Sequence, residues 1–113
     1  MVQVLIFGNL GGDAKVTTLE DGRLVYNFSI ADNAKILDKD SGELKEVANW
    51  FNCSYFTKSE KIGAYLKKGN RMLVQGSLVF REYFKDGRVG RSNDVTVNNL
   101  QIVDFDSEGD NNE

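Results

Sequence analysis

"TKSEKIGAYLKKG", residues 57–69, is where the periodicity of the chain changes, and its reading decides the fold. Thr57-Lys58-Ser59-Glu60 has the S/T-x-x-E form of a capping box. In such a box the hydroxyl and the carboxylate each satisfy a backbone N–H that a helix start leaves unpaired. Ile62, Tyr65 and Leu66 then recur at i, i+3 and i+4, the spacing of one helix face. Lys67 and Lys68 suit the negative end of a helix dipole, and Gly69 suits the position just past the last turn. The stretch predicts one short helix of about ten residues.

On either side the period is two. Upstream, "NWFNCSYF" (residues 49–56) reads as a strand, whose alternate side chains point to opposite faces. Phe51, Cys53 and Tyr55 share one face and are ordinary core material. Trp50, Asn52, Ser54 and Phe56 share the other, two large aromatics separated by two small polar residues. That face is too polar for a core and too aromatic for a plain solvent surface. The whole strand is KEVANWFNCSYF, residues 45–56.

Two earlier strands precede it. MVQVLIFG is rich in Val, Leu, Ile and Phe and ends at glycines 8, 11 and 12, with KVTTLE able to continue it. Glu20-Asp21-Gly22-Arg23 marks a hairpin turn. RLVYNFSIA sets Leu24, Tyr26, Phe28 and Ile30 against Val25, Asn27 and Ser29, and DNAKILDKDSGEL (residues 32–44) reads as a polar loop.

Downstream, RMLVQGSLVFREYF places Met72, Val74, Leu78 and Phe80 on one face, with Gly76 allowing a bend. Ser77, Val79, Arg81 and Tyr83 take the other face. Lys85-Asp86-Gly87-Arg88 is a second Asp-Gly hairpin, and Asp94–Val97 with Leu100–Val103 belong to a last strand. Three strands, one helix, two strands is the element order of an OB-fold. The expectation is therefore an all-β protein with one short helix, a five-stranded Greek-key barrel with the helix between strands 3 and 4.

At 113 residues the chain is one small domain. Its net charge of −3 is unevenly spread. Five of the seventeen acids and none of the fourteen bases fall in residues 104–113, which leaves residues 1–103 with fourteen bases against twelve acids. The expected division is a mildly basic domain over 1–103 and an acidic, disordered tail over 104–113. No apolar run is long enough to span a membrane, and MVQVLIFG lacks a basic signal-peptide start. A single cysteine favours a reducing, cytoplasmic setting.

There is no histidine, and one cysteine alone makes neither a zinc site nor a Cys-His nucleophile. The glycines at 8, 11 and 12 match neither phosphate-loop spacing. Asp38, Asp40 and Glu43 read as a solvated turn rather than a metal site. No catalytic residue, metal or cofactor is expected. What remains is aromatics interleaved with polar and basic groups, the composition of surfaces on which single-stranded nucleic acid stacks. Trp50 and Phe56 are the candidate platforms, with Asn52 and Ser54 between them for phosphate, sugar or base edges. Arg81 and Tyr83 share a face on the neighbouring strand, and Lys45, Lys58, Lys61, Lys68 and Arg71 flank the same segments. The same aromatic face also fits a subunit or partner interface, and a small nuclease on this barrel would require clustered carboxylates that the turns and tail do not supply.

The chain resembles the replication single-stranded DNA-binding proteins of bacterial type, in order over about residues 2–103. VQVLIFGNLGGDAKV resembles that family's opening strand, and VYNFSIADN its second. NWFNCSYFTKSEKIGAYLKKGNRMLVQGSL resembles its aromatic third strand, helix and fourth strand, and FKDGRVGRSNDVTV its last hairpin. The resemblance implies stacking on Trp50, Phe56 and Tyr83, and phosphate contacts from Lys58, Lys68 and Arg81. It implies single-stranded DNA as partner in replication, recombination and repair, and a homotetramer with a dimer as the alternative. Ile36 stands where many members place an aromatic, and Gln3 and Asn52 where members place basic residues. These departures imply weaker or more salt-sensitive binding. The tail DFDSEGDNNE is acidic but lacks the apolar tip that docks replication and repair proteins, so the chain is expected to be truncated or a compact member of phage or mobile-element origin.

Overall fold

Alternating apolar residues build six strands in the computed structural model, which describes residues 1–104. They are β1 (Val2–Leu10), β2 (Lys15–Thr18), β3 (Leu24–Leu37), β4 (Leu44–Thr57), β5 (Arg71–Lys85) and β6 (Arg88–Asp104). The sheet runs β1-β5-β6-β4-β3-β2, and β3 also returns to β1 through Asn9↔Ala31 and Leu10↔Ile30. That last pairing closes β1, β5, β6, β4 and β3 into a five-stranded barrel. β4 and β6 pair in parallel, Asn52↔Asp94 to Ser54↔Thr96, and the other pairs are antiparallel. The fold is the OB-fold expected from the element order, with the expected first strand broken into β1 and β2 at residues 11–14. Closure matters because it leaves few unpaired strand edges.

The core is the inward face read from the sequence. Ile30, Leu66, Met72 and Val74 are fully buried, joined by Tyr26, Phe28, Cys53 and Val95. Phe51 and Tyr55 pack against this cluster from the same side of β4 as Cys53. The expected bend at Gly76 coincides with a register shift between Gln75 and Gly76 in the β5–β6 ladder.

The helix expected over residues 57–69 does not form. Only Lys61–Ala64 winds, as a four-residue 3-10 turn, and no α-helix occurs among the described residues. The capping box is unmade: Thr57 Oγ1 accepts the N–H of Ser59 instead, and Glu60 has helical rather than cap dihedrals with no side-chain cap bond. Tertiary bonds take the backbone elsewhere. The Leu66 carbonyl accepts the N–H of Ala14 at 2.9 Å, and the Gly69 N–H donates to Leu10 at 2.8 Å. Tyr26 donates its hydroxyl to the Ser59 carbonyl at 2.9 Å, and its ring lies against Gly63. A glycine costs a helix about 1 kcal/mol, and a helix this short is marginal without packing. The segment instead ties itself across the end of the barrel and drives Leu66 into it.

The polar loop expected at 32–44 is also corrected. β3 and β4 stay paired out to Leu37↔Leu44, beyond the barrel, as a two-stranded ribbon. Both of its faces are largely exposed, so no burial imposed an alternation that the sequence could show. Its tip is closed by Asp38 N–H to the Glu43 carbonyl and by the Asp38 carboxylate, which accepts from Asp40 N–H and Ser41 Oγ. The β5–β6 hairpin likewise projects to Lys85↔Arg88. Asp86 and Gly87 both have positive φ, 54° and 74°, the two-residue turn that an Asp-Gly pair favours. No helix among the described residues is long and apolar enough to cross a membrane. Asp104 ends β6 opposite Arg71, and the rest of the expected tail, residues 105–113, lies outside the described residues.

Candidate nucleic-acid interface

The outward face of β4 carries the residues that alternation assigned to it. Trp50, midway along β4, is 51% exposed, and Phe56, next to its last residue, is 43% exposed. Between them a polar ladder crosses four strands, β3, β4, β6 and β5. Ser54 donates to Asn27 Oδ1 at 2.9 Å, and Ser29 donates to Asn52 Oδ1 at 3.3 Å. Asn52 Nδ2 reaches Asp94 Oδ1 at 3.5 Å, and Asp94 Oδ2 pairs with Arg81 Nε at 2.7 Å. Three links follow from register: Asn27↔Ser54 and Ser29↔Asn52 are cross-strand pairs, and the parallel β4–β6 pairing sets Asp94 beside Asn52. Arg81, whose register partner is Ser92, reaches Asp94 diagonally.

This ladder floors an open groove of about 650 Å³ that Trp50 walls on one side. The volume falls within the usual range of roughly 300–1,000 Å³ for sites that hold a small molecule. The Trp50 ring lies on Gly11: a Cβ there would come within 2.6 Å of Trp50 Cζ3. Asn93 Nδ2 donates to the Trp50 carbonyl at 3.1 Å and pins the backbone beneath the ring.

Of the candidates read from the sequence, Trp50, Asn52, Ser54 and Arg81 line this one groove. Phe56 lies further along the same face, with the Arg23 guanidinium 5.8 Å from its ring centroid. Tyr83, 46% exposed, lies two residues beyond Arg81 on the projecting hairpin. Its ring covers Gly90 across the ladder and lines a separate hollow with Lys85 and Arg88. Lys58 lines another hollow, between the β2–β3 hairpin and the 3-10 turn, with Glu60 and Lys67. Lys61 and Lys68 are exposed on the segment that crosses the barrel end. Lys45 is paired with Asp38 at 3.1 Å, and Arg71 lies 5.7 Å from the Phe7 ring centroid on β1. The groove therefore gathers four of the eleven candidates and leaves Phe56, Tyr83, Lys45, Lys58, Lys61, Lys68 and Arg71 outside it.

Sequence reasoning missed Asp94, Lys15 and the role of Gly11 in this groove. Asn27 and Ser29 were visible as an outward face without an assigned role. For Asp94 no local signal existed, because its neighbourhood is created by a pairing between strands 42 residues apart.

Titration adds contrast between the barrel interior and the ribbon tip. Burial pushes the Cys53 thiol up to about 12 from 9.0, which leaves it protonated and unreactive. At the ribbon tip, hydrogen bonds from Lys45, Ser41 and the Asp40 backbone lower the Asp38 pKa below its ordinary value. Among the described residues no group of three or more His, Cys, Asp or Glu is arranged to hold a metal ion.

The sequence model of the Single-strand binding protein family matches residues 1–103. Among solved structures, the chain is similar to the small single-stranded DNA-binding protein from Streptomyces coelicolor, with 20% identity and a TM-score of 0.74 over 90% of this chain and 94% of that one. It is also similar to the SSB of Plasmodium falciparum, solved as a complex with ssDNA, with 25% identity and a TM-score of 0.73 over 94% of this chain and 96% of that one. The first likeness bears on the fold alone.

Proposed function

The chain belongs to the single-strand binding protein family, and from that premise we propose that it binds and protects single-stranded DNA during replication, recombination and repair, without catalysis. The observation that carries the reading is the half-exposed Trp50 ring set beside a polar ladder on the outside of a closed OB barrel. An unstacked base gains roughly 1–3 kcal/mol on such a ring, and the gain is tolerant of sequence because every base has a π-face. A duplex hides those faces. Phe56 and Tyr83 continue the platform along β4 and β5, and Lys58, Lys61 and Lys68 neutralise phosphates where the strand leaves the barrel.

The chain works as a homotetramer, with a dimer as the alternative. Leu5 and Phe7 on β1 are 66% and 48% exposed, and exposed apolar patches of this kind mark association surfaces. Assembly would let several weak sites act together on one strand through effective concentration. The expected location is the cytoplasm.

A titration of oligo-dT, duplex and RNA at two salt concentrations tests the binding reading. Oligo-dT is expected to quench Trp50 fluorescence and to bind well above duplex, and equal affinity for the two would overturn it. Native mass measurement is expected to give four times the chain mass.

A further inference from the structure

The charged residues that line the Trp50 groove are Asp13, Lys15, Arg81 and Asp94, two anions against two cations. For a surface assigned to a polyanion this is unexpected, because each phosphate contact ordinarily needs an uncompensated cation. The two anions are placed differently. Asp13 turns its carboxylate to the Lys68 backbone N–H at 2.9 Å, a structural bond at the groove end. Asp94 faces the groove floor, where its Oδ2 sits 2.7 Å from Arg81 Nε and its Oδ1 faces Asn52 Nδ2. Among the described residues Arg81 is the only cation drawn into the ladder, and its counter-charge is supplied by Asp94.

We propose that Asp94 is a selectivity residue, a built-in counter-charge that withholds Arg81 from phosphate and makes the Trp50 groove a site for bases rather than for backbone. The inference rests on the single-strand reading above and deepens it. A phosphate that approaches Arg81 finds Nε already held by Asp94, and its attraction to the remaining Nη groups is offset by that neighbouring carboxylate charge. A base that stacks on Trp50 meets no such competition, since Asn52 is one same-face step away, about 7 Å along the strand, and offers neutral hydrogen-bonding groups. Duplex DNA presents phosphates outward and keeps its bases stacked, so a neutral groove gives it nothing. An unpaired strand can turn a base in. Arg81 and Asp94 are both solvent-accessible, with side chains 67% and 28% exposed, so the pair is open to competition and to salt.

The test is a set of salt titrations of the full chain with oligo-dT and with duplex of equal length. Asp94→Asn keeps the shape and leaves an amide oxygen for Asn52. It is expected to bind oligo-dT several-fold more tightly at low salt and to steepen the slope of log K against log salt by about 0.7, one further single-strand phosphate contact. Duplex affinity should rise by a larger factor, so that the single-strand to duplex ratio falls. Adding Arg81→Gln to Asp94→Asn should return both slope and ratio to near the starting values. In the unaltered background Arg81→Gln should change the slope by well under one contact, and this arm needs no change at Asp94. Weaker oligo-dT binding by Asp94→Asn, an unchanged ratio, or a full-contact slope loss on Arg81→Gln alone would each overturn the proposal. If the unaltered chain does not prefer oligo-dT to duplex, it is the single-strand reading that fails. A chain that shows the preference but ignores Asp94→Asn loses only this inference.

Discussion

Along Trp50–Phe56, odd residues point into the barrel and even residues point out, from one backbone with one ladder of hydrogen bonds. Inside, Cys53 is buried, Phe51 and Tyr55 pack on the core cluster, and no polar side chain is buried in the barrel among the described residues. Outside, the aromatics are half exposed and the residues between them are bonded across strands to Asn27, Ser29 and Asp94. The inner face lowers free energy by leaving water, so its contribution is spent on folding. The outer face keeps its apolar area in water until a ligand covers it, so its contribution is reserved for binding. The two faces should therefore fail in different assays.

The largest effect belongs to the inner side. Ile30 is fully buried and lies opposite Phe51 in the β3–β4 ladder. Ile30→Ala should cost about 2–5 kcal/mol of unfolding free energy, from lost burial plus the cavity left behind. Oligo-dT affinity per folded molecule should stay within about twofold, which is under 0.5 kcal/mol. Chemical denaturation and titration on the same sample decide it, and a large affinity loss with unchanged stability would break the separation of faces.

Trp50→Ala is the converse. It should lower oligo-dT affinity by roughly 1–3 kcal/mol and shift unfolding by no more than about 0.5 kcal/mol, as surface substitutions do. A drop in denaturation midpoint as large as that of Ile30→Ala would mean that the Trp50 ring supports the barrel and is not held in reserve.

That the faces exist was legible in the sequence, because a period of two with one apolar set is imposed by burial itself. Leu24, Tyr26, Phe28 and Ile30, and Phe51, Cys53 and Tyr55, all lie on the inward side. Both Asp-Gly pairs also sit in hairpin turns, with Gly22 and Gly87 at positive φ. The failures share one cause: each depends on partners distant in sequence. The ribbon beyond Ala31 buries neither face and so carries no periodic mark. Residues 57–69 have the local grammar of a helix, but Ala14 and Leu10 compete for its backbone groups and prevail. The Asp94 carboxylate became part of the site only through the parallel β4–β6 pairing, which no local pattern announces.

A third test uses pH to read the inner face alone. The folded-state pKa of Cys53 is raised to about 12 from 9.0 by burial. The buried thiol therefore contributes stability fully below pH 9 and loses it as pH rises through the window from 9.0 to about 12, because the unfolded chain ionises first. By pH 10 the loss should reach about 1 kcal/mol. The measurement is the difference between the unaltered chain and Cys53→Ala in the fall of Tm from pH 8 to pH 10, which isolates the thiol. A steeper fall in the unaltered chain is expected, and parallel falls would place the thiol in contact with water.

The smallest effect isolates the outer face at one atom. Gly11 and Gly12 are adjacent, and neither has a positive φ, so alanine fits the backbone at both. A Cβ on Gly12 meets nothing within 4 Å, whereas a Cβ on Gly11 would come within 2.6 Å of the Trp50 ring. Because that ring is half exposed it can swing outward, and Gly11→Ala should leave folding nearly unchanged while tilting the platform. The expected signature is a shift in Trp50 emission and an affinity loss of several tenths to about 1 kcal/mol, a fraction of what removing the ring costs. Gly12→Ala should change neither. If both substitutions weaken binding equally, the strand touches the 11–14 segment directly and the seat under Trp50 is not what the glycine provides. If only Gly11→Ala acts, the outer face of β4 is positioned by contact with the loop between β1 and β2, and its readiness to bind is itself a product of the fold.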